Sequence, residues 1–136
     1  MTAAQLETAR AHVGALTSTL GYPQPNLKFV EGMIEFLAAA GVAPESMDLI
    51  ISNCVINLSP DKAAVVQSCY ESLRPGGELY FSDVYCDRRL PQSVREDDVM
   101  LGECLGGALY VEDFKRICHK VKGLEPTPLL GAPAAW

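Results

Sequence analysis

Two of the five cysteines lie in settings that suit the chemistry of a soft ligand. Cys54 follows the apolar run Leu49-Ile50-Ile51, and such a run is typical of a buried parallel strand. Parallel α/β sheets bind ligands at the carboxyl ends of their strands, so we expect this thiol to face a crevice. Cys104 lies about fifty residues later in a glycine-rich segment, where the backbone can approach a ligand closely. Two thiolates on one crevice favour a thiophilic centre over magnesium or calcium.

The pattern of apolar residues and turn signals predicts the elements that position these cysteines. The first half of the chain is predicted to form a helix over 3–19, a strand over 27–30, a short helix to 40 and a strand over 48–53. The second half is predicted to form a helix from the Ser59-Pro60-Asp61 cap to about 73, a turn at 75–77, a strand over 78–84 and a helix over 111–122. In the strand over 78–84, Tyr80 and Phe81 are expected to lie in the core. Helices that alternate with buried strands predict an α/β fold with a mostly parallel sheet. We expect a domain over 1–124 and an irregular, proline-rich tail over 125–136.

Composition and charge limit the classes of function. The 136 residues suggest one domain, and an apolar fraction of 49% is ample for a core. A net charge of −6 without any basic run argues against a nucleic-acid or anionic-membrane surface. The first residues lack a signal-peptide pattern, and no apolar run is as long as a membrane span. Five cysteines without a CxxC pair indicate free thiols, so the sequence predicts a cytoplasmic protein.

Three segments together carry a resemblance to a known family. Leu73-Arg74-Pro75-Gly76-Gly77 resembles the L-[KR]-P-G-G segment before the fifth strand of class I S-adenosylmethionine-dependent methyltransferases. Taken with residues 48–58 and 102–110, it makes the chain similar to arsenite methyltransferases over roughly 1–122. The resemblance implies transfer of a methyl group from S-adenosylmethionine to arsenite or its thiol conjugates. It also implies a thiol reductant, glutathione or thioredoxin, as co-substrate.

The same resemblance assigns roles to individual residues. Cys54 and Cys104 match the pair of thiolates that holds trivalent arsenic during transfer. The arsenic lone pair then attacks the sulfonium methyl, so no general base is expected. For the cofactor, the matching positions are Met33, Ile34 and Glu35 beside the adenine, Asn53 and Val55 at the sulfonium end, and Met1 directly after the ribose ligand.

The resemblance also predicts an incomplete sheet. The family's strand order is 3-2-1-4-5-7-6, and this chain matches strands three, four and five. We therefore expect a partial Rossmann-like methyltransferase sheet that lacks its first two strands, the glycine-rich cofactor loop and the family's upstream cysteines. On this basis the chain is predicted to be a fragment that is not active alone. Two alternatives stay open: a non-catalytic protein that binds As(III) through thiols, and a subunit completed by a partner chain that supplies the missing strands.

Other chemistry-bearing residues have plainer interpretations. Cys69 and Cys118 fall within predicted helices and are expected to pack in the core. Cys86 follows a strand and is a candidate third thiol near the site. Asp83, at the carboxyl end of that strand, either contacts substrate or caps a turn, and the sequence does not separate these two roles.

Overall fold

Helices alternate with short parallel strands along the chain. The structure is a computed structural model that describes residues 3–121 and 124. Its elements are α1 (Ala3–Thr19), a 3-10 turn (Ile34–Phe36), β1 (Met47–Asn53), a second 3-10 turn (Ile56–Leu58), α2 (Lys62–Ser72), β2 (Leu73–Ser82), β3 (Tyr85–Cys86), α3 (Gln92–Arg95), α4 (Asp98–Gly102), β4 (Leu109–Tyr110) and α5 (Val111–Lys120). The predicted α/β class is confirmed. The predicted tail over 125–136 and Met1 lie outside the described residues.

Strands β1 and β2 pair in parallel and end together. Their register runs from Leu49 opposite Glu78 to Asn53 opposite Ser82, with an irregularity between Met47 and Leu49. The predicted turn at 75–77 is this irregularity: Gly76 adopts a φ of +83°, which glycine tolerates best. A second, two-residue ladder pairs β3 with β4, also in parallel. Both longer strands therefore deliver their next residues to one edge of the sheet.

Side chains of β1 and β2 alternate between a covered and an open face, as the two-residue period of a strand requires. Ile50, Leu79 and Phe81 pack against a buried cluster. That cluster, drawn mainly from α2 and α5, comprises Ile56, Val65, Val66, Cys69, Phe114, Cys118 and Val121. On the opposite face Ile51 is 74% exposed, and Leu49 and Tyr80 are exposed as well. The prediction that Tyr80 belongs to the core was therefore wrong, because nothing among the described residues covers its face.

The segment before β1 differs most from its prediction. Residues 27–30 form no strand, and residues 37–40 are turns rather than a continued helix. A strand needs a neighbour for its hydrogen bonds, and within the described residues β1 pairs only with β2. The segment is held instead by α1, whose Arg10 Nη2 donates to the Phe29 carbonyl oxygen at 3.2 Å.

Two smaller boundaries also differ. Asp61, not Ser59, caps α2, because its Oδ1 accepts the Ala64 N–H at 2.9 Å. Pro60 consequently precedes the cap instead of opening the helix. Strand β2 ends at Ser82 rather than at Val84, since no residue of β1 extends past Asn53 to pair with it. No helix in the described part of the chain has the length and apolar character to cross a membrane.

Candidate functional site

Cys54 and Cys104 occupy two backbone positions of the same unusual kind. Cys54 directly follows β1 and has a φ of +51°, and Cys104 follows α4 with a φ of +63°. The left-handed region costs free energy for any residue with a Cβ and persists when the surroundings enforce it. The Cys54 N–H donates to the Ser82 carbonyl oxygen at 2.8 Å, so the end of β2 holds the first thiol segment in place.

Asn57 joins the two cysteine segments. It lies in the 3-10 turn after Cys54 and is only 2% exposed. Its Nδ2 donates to the Cys104 carbonyl oxygen at 2.8 Å. Its backbone N–H donates to Asp83 Oδ2 at 2.9 Å. The structure thus brings together the carboxyl ends of β1 and β2 and the Cys104 loop. The crevice shared by the two thiols stays a prediction.

The glycine-rich loop lies close to other parts of the backbone, whereas the sequence suggested a close approach to a ligand. A Cβ placed on Gly107 would lie 1.9 Å from the Asn57 carbonyl oxygen. A Cβ on Gly106 would lie 2.9 Å from the Leu101 nitrogen. Only glycine allows backbone to meet backbone at these distances. The loop therefore packs against the turn that follows Cys54 through main-chain atoms.

The five thiols differ sharply in access, and all are free. Cys54 is exposed and Cys104 is half-buried. Cys69 and Cys118 are buried, as predicted, and burial raises the pKa of Cys69 to about 11 and also raises the pKa of Cys118. Cys86 is half-buried in β3, and burial together with the charge of Asp87 raises its pKa. Cys54 and Cys104 are thus both at least partly accessible, and their segments are joined through Asn57.

Asp83 has a structural task at this junction. Its Oδ1 accepts the Val84 N–H at 2.8 Å, and its Oδ2 accepts the Asn57 N–H. Both carboxylate oxygens are thereby engaged with backbone, which corresponds to the turn-capping alternative. Nearby, burial lowers the pKa of Lys62, and the charge of Asp83 opposes that decrease.

The structure describes the predicted cofactor residues other than Met1, and they fall in two segments, 33–35 and 53–55. Asn53 and Val55 flank Cys54 and are both exposed. Met33 is 60% exposed, whereas Ile34 packs on the core. Glu35 is buried, and its Oε1 accepts a short hydrogen bond from the Ser59 hydroxyl. This bond ties the segment over 33–35 to the chain just after the second 3-10 turn.

Sequence analysis did not single out Asn57. One signal was available: Asn57 is the only polar residue within Val55-Ile56-Asn57-Leu58. In this run Ile56 and Asn57 are buried whereas Val55 and Leu58 are exposed, and a buried polar group such as the Asn57 amide needs partners. In the described part of the chain, no group of three or more His, Cys, Asp or Glu side chains is arranged to hold a metal ion. The site therefore offers a pair of thiols rather than a closed metal cage.

Comparison with known proteins agrees with this geometry. The family described as "Methyltransferase domain" matches residues 1–122. The chain is 52% identical over 120 residues to the arsenite methyltransferase of Aquipseudomonas alcaligenes, an alignment that covers 88% of this chain and 34% of that protein. It is 45% identical over 132 residues to human arsenite methyltransferase, which covers 97% of this chain and 35% of that protein. The chain spans about a third of the length of these curated relatives.

A solved structure extends the similarity to the backbone. The crystal structure of an arsenic(III) S-adenosylmethionine methyltransferase from Chlamydomonas reinhardtii superposes with a TM-score of 0.83 at 58% identity, covering 90% of this chain and 41% of that one. The resemblance to arsenite methyltransferases that the sequence predicted is thus confirmed. The chain belongs to the methyltransferase-domain family.

Proposed function

We propose that this chain carries the arsenic-binding thiol pair, and part of the cofactor surface, of an S-adenosylmethionine-dependent arsenite methyltransferase. The observation that supports this most directly is the junction at Asn57, which links the segments of Cys54 and Cys104. The similarity to arsenite methyltransferases supplies the substrate class.

The thiols bind arsenic by ligand exchange. Each thiol passes its proton to the departing hydroxide or thiolate, so that water or free glutathione leaves as an arsenic–sulfur bond forms. Soft thiolates suit a soft, trivalent centre. The bound arsenic keeps its lone pair and has no proton to lose. The site therefore needs no general base, and its residues act by holding and orienting the acceptor.

The residues around Cys54 fit one side of S-adenosylmethionine. When bound, this cofactor supplies an electrophilic methyl group on a sulfonium. Exposed Asn53 and Val55 offer a polar and an apolar group beside the thiol. Exposed Met33 offers an apolar side chain that an adenine ring can cover. The neighbouring Glu35 is held by the Ser59 hydroxyl, which fixes this segment.

Three finer points belong to the same proposal. The reductant that regenerates trivalent arsenic is a thiol, glutathione or thioredoxin. The location is the cytoplasm, where a reducing poise keeps five free cysteines reduced. The open face of β1 and β2, which bears Ile51, is completed by strands from outside the described residues, in the same chain or in a partner.

A second candidate function is arsenic binding without methyl transfer. One observation favours it: the Glu35 carboxylate is buried against Ser59 instead of open toward a ligand. The chain would then act as a thiol protein that sequesters trivalent arsenic. The two candidates share Cys54 and Cys104 and differ only in cofactor binding.

One set of titrations tests the proposal. Phenylarsine oxide, a trivalent arsenical, is titrated into the full chain, into Cys54→Ser and Cys104→Ser, and into the control Cys86→Ser. Binding of S-adenosylmethionine to the same four proteins is measured by calorimetry. We expect each of the first two variants to lose tight binding and the control to keep it. Equal binding by all four proteins would refute the assignment of the thiol pair. Arsenical binding without cofactor binding would favour the second candidate. Loss in Cys86→Ser would assign a third thiol to the site.

A further inference from the structure

We propose that Asn57 is a positioning residue that sets the spacing between the Cys54 and Cys104 thiols. This inference deepens the proposed function, on which its arsenic-binding part rests. Asn57 contacts no substrate in this proposal; it acts through the two cysteine segments that its backbone and side chain connect.

The three connections of Asn57 lead to three different parts of the chain. Its N–H is fixed by the Asp83 carboxylate at the end of β2, and its side-chain amide is fixed on the Cys104 carbonyl oxygen. Its own carbonyl oxygen lies against Gly107 so closely that no Cβ fits between them. The turn after Cys54 and the loop of Cys104 are thus locked to one another by a single residue.

The unmet acceptor of Asn57 shows what determines its orientation. Asn57 Oδ1 is buried and has no hydrogen-bond partner among the described residues. An asparagine that served only packing would be expected to satisfy both ends of its amide, since nearly all buried polar groups do. Here the Nδ2 end is satisfied and the Oδ1 end is not. The amide is therefore oriented by the Cys104 carbonyl, a contact that ties the second thiol segment to the turn after Cys54.

The position of the Cys104 loop needs such a constraint. The φ of +63° at Cys104 belongs to the cap of α4, in which the Cys104 N–H donates to the Leu101 carbonyl oxygen at 3.1 Å and the Leu105 N–H donates to the Met100 carbonyl oxygen at 2.8 Å. These local bonds set the conformation of the loop but not its distance from the turn after Cys54, so without the bond from Asn57 the loop can move as a unit and carry the thiol away from Cys54. Chelation then fails, because the second thiol binds as an intramolecular partner only while the spacing is kept.

The test compares Asn57→Ala and Asn57→Asp with Asn26→Asp, which makes the same change of charge at an exposed residue. The first readout uses no arsenic: dibromobimane, a short bifunctional thiol reagent, fluoresces only after both ends have reacted. The second is phenylarsine oxide affinity. Iodoacetamide labelling of Cys54 and of buried Cys69 reports exposure and folding separately. All variants are made in a Cys86→Ser background.

We expect both Asn57 variants to lose cross-linking by about tenfold or more and arsenical affinity by about 100-fold, the scale of a lost second attachment. Iodoacetamide labelling is expected to stay unchanged, and Asn26→Asp is expected to behave as the parent. If iodoacetamide labels Cys69 in Asn57→Asp, that variant is unfolded, and the outcome is then judged from Asn57→Ala alone. Cross-linking by Asn57→Ala at the parent rate overturns the inference. Cross-linking by the parent without arsenical binding overturns the proposed function and leaves the positioning role supported.

Discussion

The contact between Gly107 and Asn57 makes Gly107→Ala the sharpest perturbation of the site. The added Cβ would lie 1.9 Å from the Asn57 carbonyl oxygen and 2.9 Å from its carbonyl carbon. Ordinary contact begins at about 3.4 Å. Because both atoms belong to the backbone, no side-chain rotation relieves the clash. The Cys104 loop and the turn after Cys54 must therefore separate by about 1.5 Å.

The expected cost follows from this separation. Overpacking of a close-packed region costs about 1–3 kcal/mol, and a clash between rigid backbone atoms belongs at the upper end. A loss of about 3 kcal/mol lowers the ratio of folded to unfolded protein by roughly 150-fold. The shift also strains the bond from Asn57 Nδ2 to the Cys104 carbonyl oxygen, now 2.8 Å. We therefore expect Gly107→Ala to lower the free energy of unfolding and also to weaken phenylarsine oxide binding by up to about 100-fold, the scale of a lost second attachment.

Urea unfolding and arsenical titration of the same samples check both parts. Gly102→Ala is the matched control, because it adds the same methyl group a few residues away, where no atom lies within 4 Å of the new Cβ. That variant is expected to unfold within about 0.5 kcal/mol of the parent. If Gly107→Ala matched Gly102→Ala in both measurements, the loop would not be held against Asn57 as described.

Three further outcomes follow from the structure. Burial raises the pKa of the Cys69 thiol from 9.0 to about 11. The unfolded chain therefore loses this proton at a lower pH than the folded chain, and the free energy of unfolding falls by up to about 3 kcal/mol as the pH rises between these two values. Urea unfolding from about pH 8 to about pH 11 should show a smaller decrease in Cys69→Ala than in the parent. Asp61→Ala removes the acceptor of the Ala64 N–H and should lower the free energy of unfolding by about 1 kcal/mol, and an unchanged value would contradict the cap. Ile51→Thr, on the open face, should change stability by no more than about 0.5 kcal/mol, whereas Ile50→Thr, on the covered face, should cost about 1–2 kcal/mol; equal costs in urea would show that both faces are covered.

Local sequence signals correctly predicted the strands whose pairing partners are among the described residues. The apolar run at 49–51 and the glycine-rich turn before residue 78 each indicated a strand, and the two strands pair with each other. The helix over 62–72 was predicted from the Ser59-Pro60-Asp61 signal, although Asp61 rather than Ser59 is its cap. Residues 27–30 had a comparable strand signal, yet they form none. A strand is a property of a pair, and the second member is not among the described residues.

The site was predictable in its chemistry but not in its construction. Cys54 and Cys104 stood out because one followed a buried strand and the other lay among glycines. Which residue joins them depended on a hydrogen bond across 47 residues of sequence, from Asn57 to the Cys104 carbonyl. Sequence spacing carries no information about such a long-range pairing. The same holds for Glu35, whose partner Ser59 lies 24 residues away.

The open face of the sheet connects the two observations that fit least well with a self-sufficient unit. Leu49, Ile50 and Ile51 are apolar in succession, as in strands that are covered on both faces. The described residues cover only the face of Ile50 and leave Ile51 74% exposed. Residues 27–30 were also predicted to form a strand, and no strand pairs with them among the described residues. Further strands beside β1 would account for both features. This supports the proposal that the methyltransferase sheet is completed from outside the described residues.

The thiol junction at Asn57 does not depend on that completion, because every contact that forms it lies between 54 and 107. We therefore expect the proposed arsenic binding to be separable from the proposed methyl transfer.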